Sequence, residues 1–271
     1  MNKSLVEPFG LNVMRAGFTA VLLWSFFFFK KTFGQIQRKD WPRFILCGIT
    51  GIAVNQLLFL KGLQLTYPIH AALLMLVTPV IITIAAAFFL QEPLTVSKWI
   101  GLIMGIAGAT ILISGRKVGA TASSPVLGDI LVIINAISYA AYFILVRPLM
   151  EKYPPVVILR VIFTVGLAFI IPVGLTEFIR TPWAEYHLLD WSVMFLIVVC
   201  GTLLAYLFNV FGIRHLGASI AGSYIYVQPA FATIIAMIAL NEKLSWVEAL
   251  AGLLIFSGVY FSNKKAKRIH G

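Results

Sequence analysis

The chain has 271 residues, of which 60% are hydrophobic and only 11% charged. Soluble domains run roughly 45–50% apolar and ~25% charged, so an ordinary water-soluble domain is excluded and the chain reads as an integral membrane protein. A formal charge of +11 would raise nucleic acid as a partner in a soluble protein; here the basic residues cluster in short loops and report topology, so no nucleic-acid partner is expected.

Nine stretches reach the about 17–25 residues that a helix needs to cross a hydrocarbon layer. In chain order they are Leu11–Phe29, Phe44–Leu65, His70–Leu90, Ser97–Gly115, Asp129–Val146, Val156–Thr176, Trp191–Ile213, Gly217–Leu240 and Trp246–Ser262. Strands are excluded because an open sheet edge in lipid leaves backbone groups unsatisfied, and these runs lack the alternation of a barrel. The start, Met1–Gly10, carries Glu7 and Pro8 and shows no small-residue cleavage site, so the first span is expected to be a mature helix. Cys47 and Cys200 fall inside apolar runs, where neither a disulfide framework nor a metal cluster is indicated.

Orientation follows from the basic residues of short loops. Lys30, Lys31, Arg38, Lys39, Arg43, Lys98, Arg147, Lys152, Arg214 and the tail residues Lys264, Lys265, Lys267 and Arg268 fall on one side; Lys3, Arg116, Lys117, Arg180 and Lys243 fall on the other. The imbalance puts the carboxyl tail in the cytoplasm, in what would be a bacterial inner (plasma) membrane.

Sliding the chain by 150 residues against itself aligns the second to fourth spans with the seventh to ninth. Gly62, Ala71, Pro79, Thr83, Leu90, Glu92, Leu94 and Gly108 fall on Gly212, Ala221, Pro229, Thr233, Leu240, Glu242, Leu244 and Gly258. Proline on proline at mid-span and the shared Leu-[Gln/Asn]-Glu-x-Leu-[Thr/Ser] joint outweigh chance matches of Leu and Ala. Residues 1–115 are therefore expected to form a first repeat of four helices and 127–263 a second of five, joined by a linker at 116–126 and followed by a basic cytoplasmic tail at 264–271. The first span finds its partner in the sixth, since Arg15 and Arg160 each lie about one turn into their helices. The fifth span has no counterpart before Leu11, so a further helix upstream is expected. Five helices per complete half would place the halves upside down relative to each other, as in many transporters.

The Pro8–x6–Arg15 opening, the mid-helix prolines, the joints Leu90–Thr95 and Leu240–Ser245 and the Gly-rich last helix of each half resemble the EamA-like transporters of the drug/metabolite transporter superfamily, over the whole chain. The resemblance implies an all-α polytopic bundle, here of nine transmembrane helices as four plus five, in inverted repeats around a central cavity. It also implies movement of small metabolites, often amino acids or related compounds and frequently outward.

Pro79 and Pro229 lack an N–H and clash with the carbonyl four residues back, so the carbonyls of Met75 and Ile225 are expected to lose their usual partners. Paired interruptions of this kind point to a cavity-lining site, although each is also read as a packing kink healed by a neighbour. Polar side chains recur within the spans and avoid lipid. Asn55, Gln56, Asn135, Tyr139, Tyr142, Tyr206, Asn209, Tyr224 and Gln228 are therefore the candidate cavity lining, together with the two prolines. Asn135, Tyr139 and Tyr142 share one helical face, as do Tyr224 and Gln228. Arg15 and Arg160 either snorkel to the interface or set a positive potential for an anionic or zwitterionic substrate. Glu92 and Glu242 read as interfacial turn and capping groups rather than proton relays, and Asp129 as the opening of the fifth span.

No metal-ligand spacing, nucleotide-binding loop or nucleophile–base pair stands out, so the expectation is a transporter with no cofactor and not an enzyme. The mechanism expected is alternating access to neutral, zwitterionic or anionic cargo. A phosphorylated-sugar or nucleotide-sugar exchanger of the same superfamily and a non-transporting truncated protein stay open as alternatives. The partners are a small-molecule substrate and the lipid bilayer; apolar outer faces also allow a homodimer.

Overall fold

The computed structural model describes residues 6–29, 36–114, 122–231, 234 and 246–263, and among them there is no strand. Helix α1 covers Pro8–Phe29; α2, Trp41–Gly48, continues through a π-helical segment at Ile49–Val54 into α3, Asn55–Leu65. The next span is α4, Pro68–Met75, followed by α5, Thr78–Leu90, and then by α6, Val96–Ser114. Two long helices follow, α7 at Pro125–Lys152 and α8 at Pro155–Arg180. The span after them repeats the earlier pattern: α9, Leu188–Val198, a π segment at Val199–Leu204, and α10, Ala205–Leu216. After α11, Ala218–Ser223, comes a 3-10 turn at Tyr224–Tyr226 and helix again over 227–231; α12 is Trp246–Asn263. The linker, the tail, Glu242 and the second half of the eighth span lie outside the described residues, apart from 122–126 of the linker.

By length and apolarity, Arg38–Leu65, His70–Leu90, Pro125–Lys152, Pro155–Arg180 and Leu188–Leu216 can each cross a bilayer. Helix starts follow local chemistry. Proline occupies the first turn of α2, α4, α5 and α8, where its missing N–H costs nothing. The Lys98 N–H donates to the Thr95 hydroxyl at 3.2 Å, so Thr95 caps α6. The Trp183, Tyr186 and Trp191 rings, 5.3–6.1 Å apart, cluster between α8 and α9, as interfacial aromatics do.

The described chain forms two compact units, residues 1–60 with 141–215 and residues 61–140 with 216–271. Each draws helices from both halves of the sequence, and α7 contributes to both.

In the first unit α1 packs along α8. Small residues allow the approach: a Cβ on Gly174 would lie 2.7 Å from Val13 Cγ2, and one on Gly10 would lie 2.9 Å from the Phe178 backbone. The π segment of residues 49–54 packs on α8 in the same way, with Gly166 against Ile52. Glu177, in the last turn of α8, accepts the Phe9 and Gly10 N–H groups at 2.8 and 2.9 Å and so caps α1. At the loop end, Asp40 accepts Lys152 Nζ at 2.9 Å and the Tyr153 hydroxyl at 2.8 Å. Burial pushes the Tyr153 phenol above its ordinary range, so it stays a donor.

In the second unit α6 pairs with α12 along glycines. A Cβ on Gly108 would meet the Ala251 carbonyl at 2.6 Å and one on Gly258 the Gly101 carbonyl at 2.7 Å. Leu76, Leu102, Tyr226, Val227, Ala230, Ile255 and Val259 form the core beside this pair.

Candidate transport site

The two π segments begin 150 residues apart, at Ile49 and Val199, which is the offset of the internal repeat. A π turn widens the helix, takes carbonyls out of their i→i+4 register and recurs at functional sites. In the first unit these segments gather polar chemistry. The Tyr206 hydroxyl donates to the Gly51 carbonyl at 3.1 Å, and Gln56 Nε2 donates to the Tyr206 oxygen at 3.2 Å. Gln56 and Tyr206 are themselves 150 apart, so equivalent positions of the two repeats touch. Arg15 Nε donates to Thr202 Oγ1 at 3.1 Å, and the Thr202 hydroxyl donates to the Ile197 carbonyl at 3.0 Å, five residues back. Phe163 fixes the Tyr206 ring edge-on at 5.0 Å. Gln56 Oε1 is buried without a partner among the described residues, an unspent acceptor beside this chain of bonds.

The expected site residues separate between the units. Arg15, Asn55, Gln56, Tyr142, Arg160, Tyr206 and Asn209 belong to the first, and Pro79, Asn135, Tyr139, Tyr224, Gln228 and Pro229 to the second. Within the first, Arg15, Gln56 and Tyr206 are brought together around the π segments, with Thr202 and the Gly51 carbonyl as members that the sequence reading omitted. Tyr142 is fully buried against Gly51, where any Cβ would strike its ring. Asn55 and Asn209 are half-buried on α3 and α10. Arg160 is buried with its guanidinium carbon 4.7 Å from the Trp24 ring centroid, a cation–π contact.

In the second unit the third span is broken rather than kinked. A turn at Leu76–Val77 separates α4 from α5, and Pro79 sits buried in the first turn of α5, because proline fits a helix start far better than an interior. The Leu76 carbonyl takes the buried Tyr226 hydroxyl at 3.0 Å, again a pair 150 apart. Tyr226, rather than Tyr224, is therefore the inward tyrosine of that span. Tyr224 is 46% exposed and Gln228 is exposed, because the 3-10 turn at 224–226 changes the helical face. Asn135 is buried, and Tyr139 and Pro229 are half-buried.

Glu92 caps a helix start, as its position predicts, but with a remote partner. Glu92 accepts the Ala218 and Ser219 N–H groups at 2.7 and 3.2 Å and lies 3.6 Å from Lys98 Nζ, so it caps α11. Asp129 does not open its helix; it lies inside α7 and binds the Thr66 hydroxyl and His70 Nδ1, the latter at 3.2 Å. Among the described residues no group of three His, Cys, Asp or Glu could hold a metal ion.

Helices that cross a bilayer, two of them interrupted at matched π segments that hold polar side chains, define a polytopic membrane transporter. The EamA-like transporter profile matches residues 2–114 and 126–264, and the chain belongs to that family. It is 22% identical over 260 residues to an "Uncharacterized transporter" of Archaeoglobus fulgidus, covering 96% of this chain and 89% of that one. It is 24% identical to "Uncharacterized transporter YetK" of Bacillus subtilis, over 92% and 76% of the two chains. It is also 24% identical to a Streptantibioticus cattleyicolor protein named "Probable terminal-alkyne amino-acid exporter", over 84% and 75%. A crystal structure of another protein superposes with a TM-score of 0.78 at 20% identity, covering 94% of this chain and 87% of that one, which shows the shared fold.

Proposed function

We propose that this transporter exports small metabolites, amino acids or related neutral, zwitterionic or anionic compounds, by alternating access. The observation that carries the reading is the pair of π segments, Ile49–Val54 and Val199–Leu204, whose flanking residues Gln56 and Tyr206 bond to each other. Irregular backbone within a membrane span is tolerated where it lines a cavity or is buried in protein, and symmetry-related interruptions mark a transporter's site. Similarity to a protein named as an amino-acid exporter supports the cargo class. The two repeats are taken as mutually inverted copies, with the carboxyl tail in the cytoplasm of a bacterium. Cargo that binds more tightly in one state than in the other shifts the equilibrium between them.

Efflux from proteoliposomes loaded with mixed amino acids tests the proposal. Purified protein should release cargo faster than protein-free vesicles, and Tyr206→Phe, which loses the bond to Gly51, should slow release with folded yield unchanged. Gln228→Ala and Tyr139→Phe test the rest of the lining in the same assay. Release no faster than from empty vesicles would remove the function.

A further inference from the structure

Asn12, Arg15 and Thr19 stand at i, i+3 and i+7 on α1 and so share one face. Asn12 is 1% exposed and Thr19 fully buried, and neither the Asn12 amide atoms nor the Thr19 hydroxyl has a partner among the described residues. An unmade bond at a buried polar group costs about 1–3 kcal/mol; three such atoms on either side of a cation ask for a ligand.

Arg15 itself does not snorkel. Its Nε is held by Thr202, the midpoint of the 29-residue span Leu188–Leu216, so its head lies at the level of the membrane interior. Among the described residues no carboxylate reaches ion-pair distance of it: the three pairs are His70–Asp129, Lys98–Glu92 and Lys152–Asp40. Of the acids in the same unit, Glu177 is engaged on the start of α1 and Asp190 on the His187 N–H. The Thr202 bond uses Nε, and among the described residues the two terminal nitrogens of the fork have no protein acceptor. Arg160, its counterpart in the second repeat, differs because the Trp24 ring covers it.

A guanidinium fork presents parallel N–H donors that match a carboxylate bidentately, and a cation within a span is costly until an anion joins it. We propose that Arg15 anchors the carboxylate of the transported compound, and that Asn12, one turn toward the amino end where side chains lean, binds a donor on the neighbouring carbon. The cargo class is then a small amino or hydroxy acid carrying one carboxylate. This rests on the transporter reading above.

Two measurements on the full chain separate the ideas. Proteoliposomes are loaded with equimolar neutral amino acids and their carboxamides, and efflux is read by mass spectrometry. The acids should leave about tenfold faster or more, the discrimination one charge-assisted hydrogen bond supplies. Arg15→Gln should lose that preference, and Asn12→Ala should slow the acids severalfold. In parallel, wild-type protein in detergent is treated with phenylglyoxal and modification of Arg15 is read by peptide mass. The acid mixture should protect Arg15 and the amide mixture should not. Amides keeping pace with acids, or Arg15→Gln retaining the preference, would overturn the anchor and leave transport standing. Protection by acids without any efflux would uphold the anchor and refute transport. An Arg15 that is unmodified, or modified equally under both mixtures, would overturn the proposal.

Discussion

Glu92→Ala removes the group that ties the start of α11 to the end of α5. The carboxylate accepts two backbone N–H groups at 2.7 and 3.2 Å and faces Lys98 at 3.6 Å, with only 17% and 11% of the two side chains exposed. Water therefore has little room to replace the lost bonds. Breaking one partner of a buried pair costs about 3–5 kcal/mol, and each hydrogen bond to a charged group is worth about 1.5–3 kcal/mol. These overlap, because both count the same desolvated carboxylate, so a loss of about 3 kcal/mol is expected. Glu92→Gln keeps the oxygen that faces Ala218 and loses the charge, for about 1–2 kcal/mol. Lys98→Met leaves the carboxylate on the positive helix start and costs about 1 kcal/mol. The assay is chemical unfolding in detergent micelles, with Glu92→Gln/Lys98→Met closing a double-mutant cycle whose coupling should exceed about 0.5 kcal/mol. Glu92→Ala within about 0.5 kcal/mol of wild type would refute the capping assignment, and an additive cycle would refute the pairing with Lys98.

The same unfolding assay checks three further expectations. Gly51→Ala should destabilise by about 1–3 kcal/mol through overpacking on Tyr142, whereas Gly201→Ala, its equivalent in the second repeat with nothing within 4 Å of the new Cβ, should be neutral or slightly stabilising. Tyr226→Phe should cost about 1 kcal/mol for the bond to the Leu76 carbonyl, and Gly105→Ala should cost more than that, since its Cβ would enter the Tyr226 ring. Tyr153→Phe should cost about 1.5–3 kcal/mol, the value of a hydrogen bond to a charged group, because Asp40 loses its buried hydroxyl donor. Equal effects at Gly51 and Gly201 would contradict the packing described.

The spans were legible because lipid imposes one rule on every residue: long apolar runs become helices, and described boundaries move by only a few residues, as from Leu11 to Pro8 in α1. The break before Pro79 was legible as well, since proline removes a donor wherever it stands. The π segments were not, because nothing in Ile49–Val54 or Val199–Leu204 forbids a regular helix; the glycines at 51 and 201 were the available signal. The burial of Tyr226 was not legible, because the 3-10 turn at Tyr224–Tyr226 departs from the helical spacing that groups Tyr224 with Gln228. The partner of Glu92 lies 126 residues away in sequence, beyond any local pattern. Asn12 and Thr19 were within reach: the face of Arg15 at i−3 and i+4 would have named both.

Alternating access is the core of the account, and thiol labelling at Gln56 tests it most directly. In a background lacking Cys47 and Cys200, Gln56→Cys should react with a membrane-impermeant maleimide added to either side of sealed vesicles, and cargo should shift the balance between the sides. Reaction from one side alone, unchanged by cargo, or no reaction from either, would contradict it.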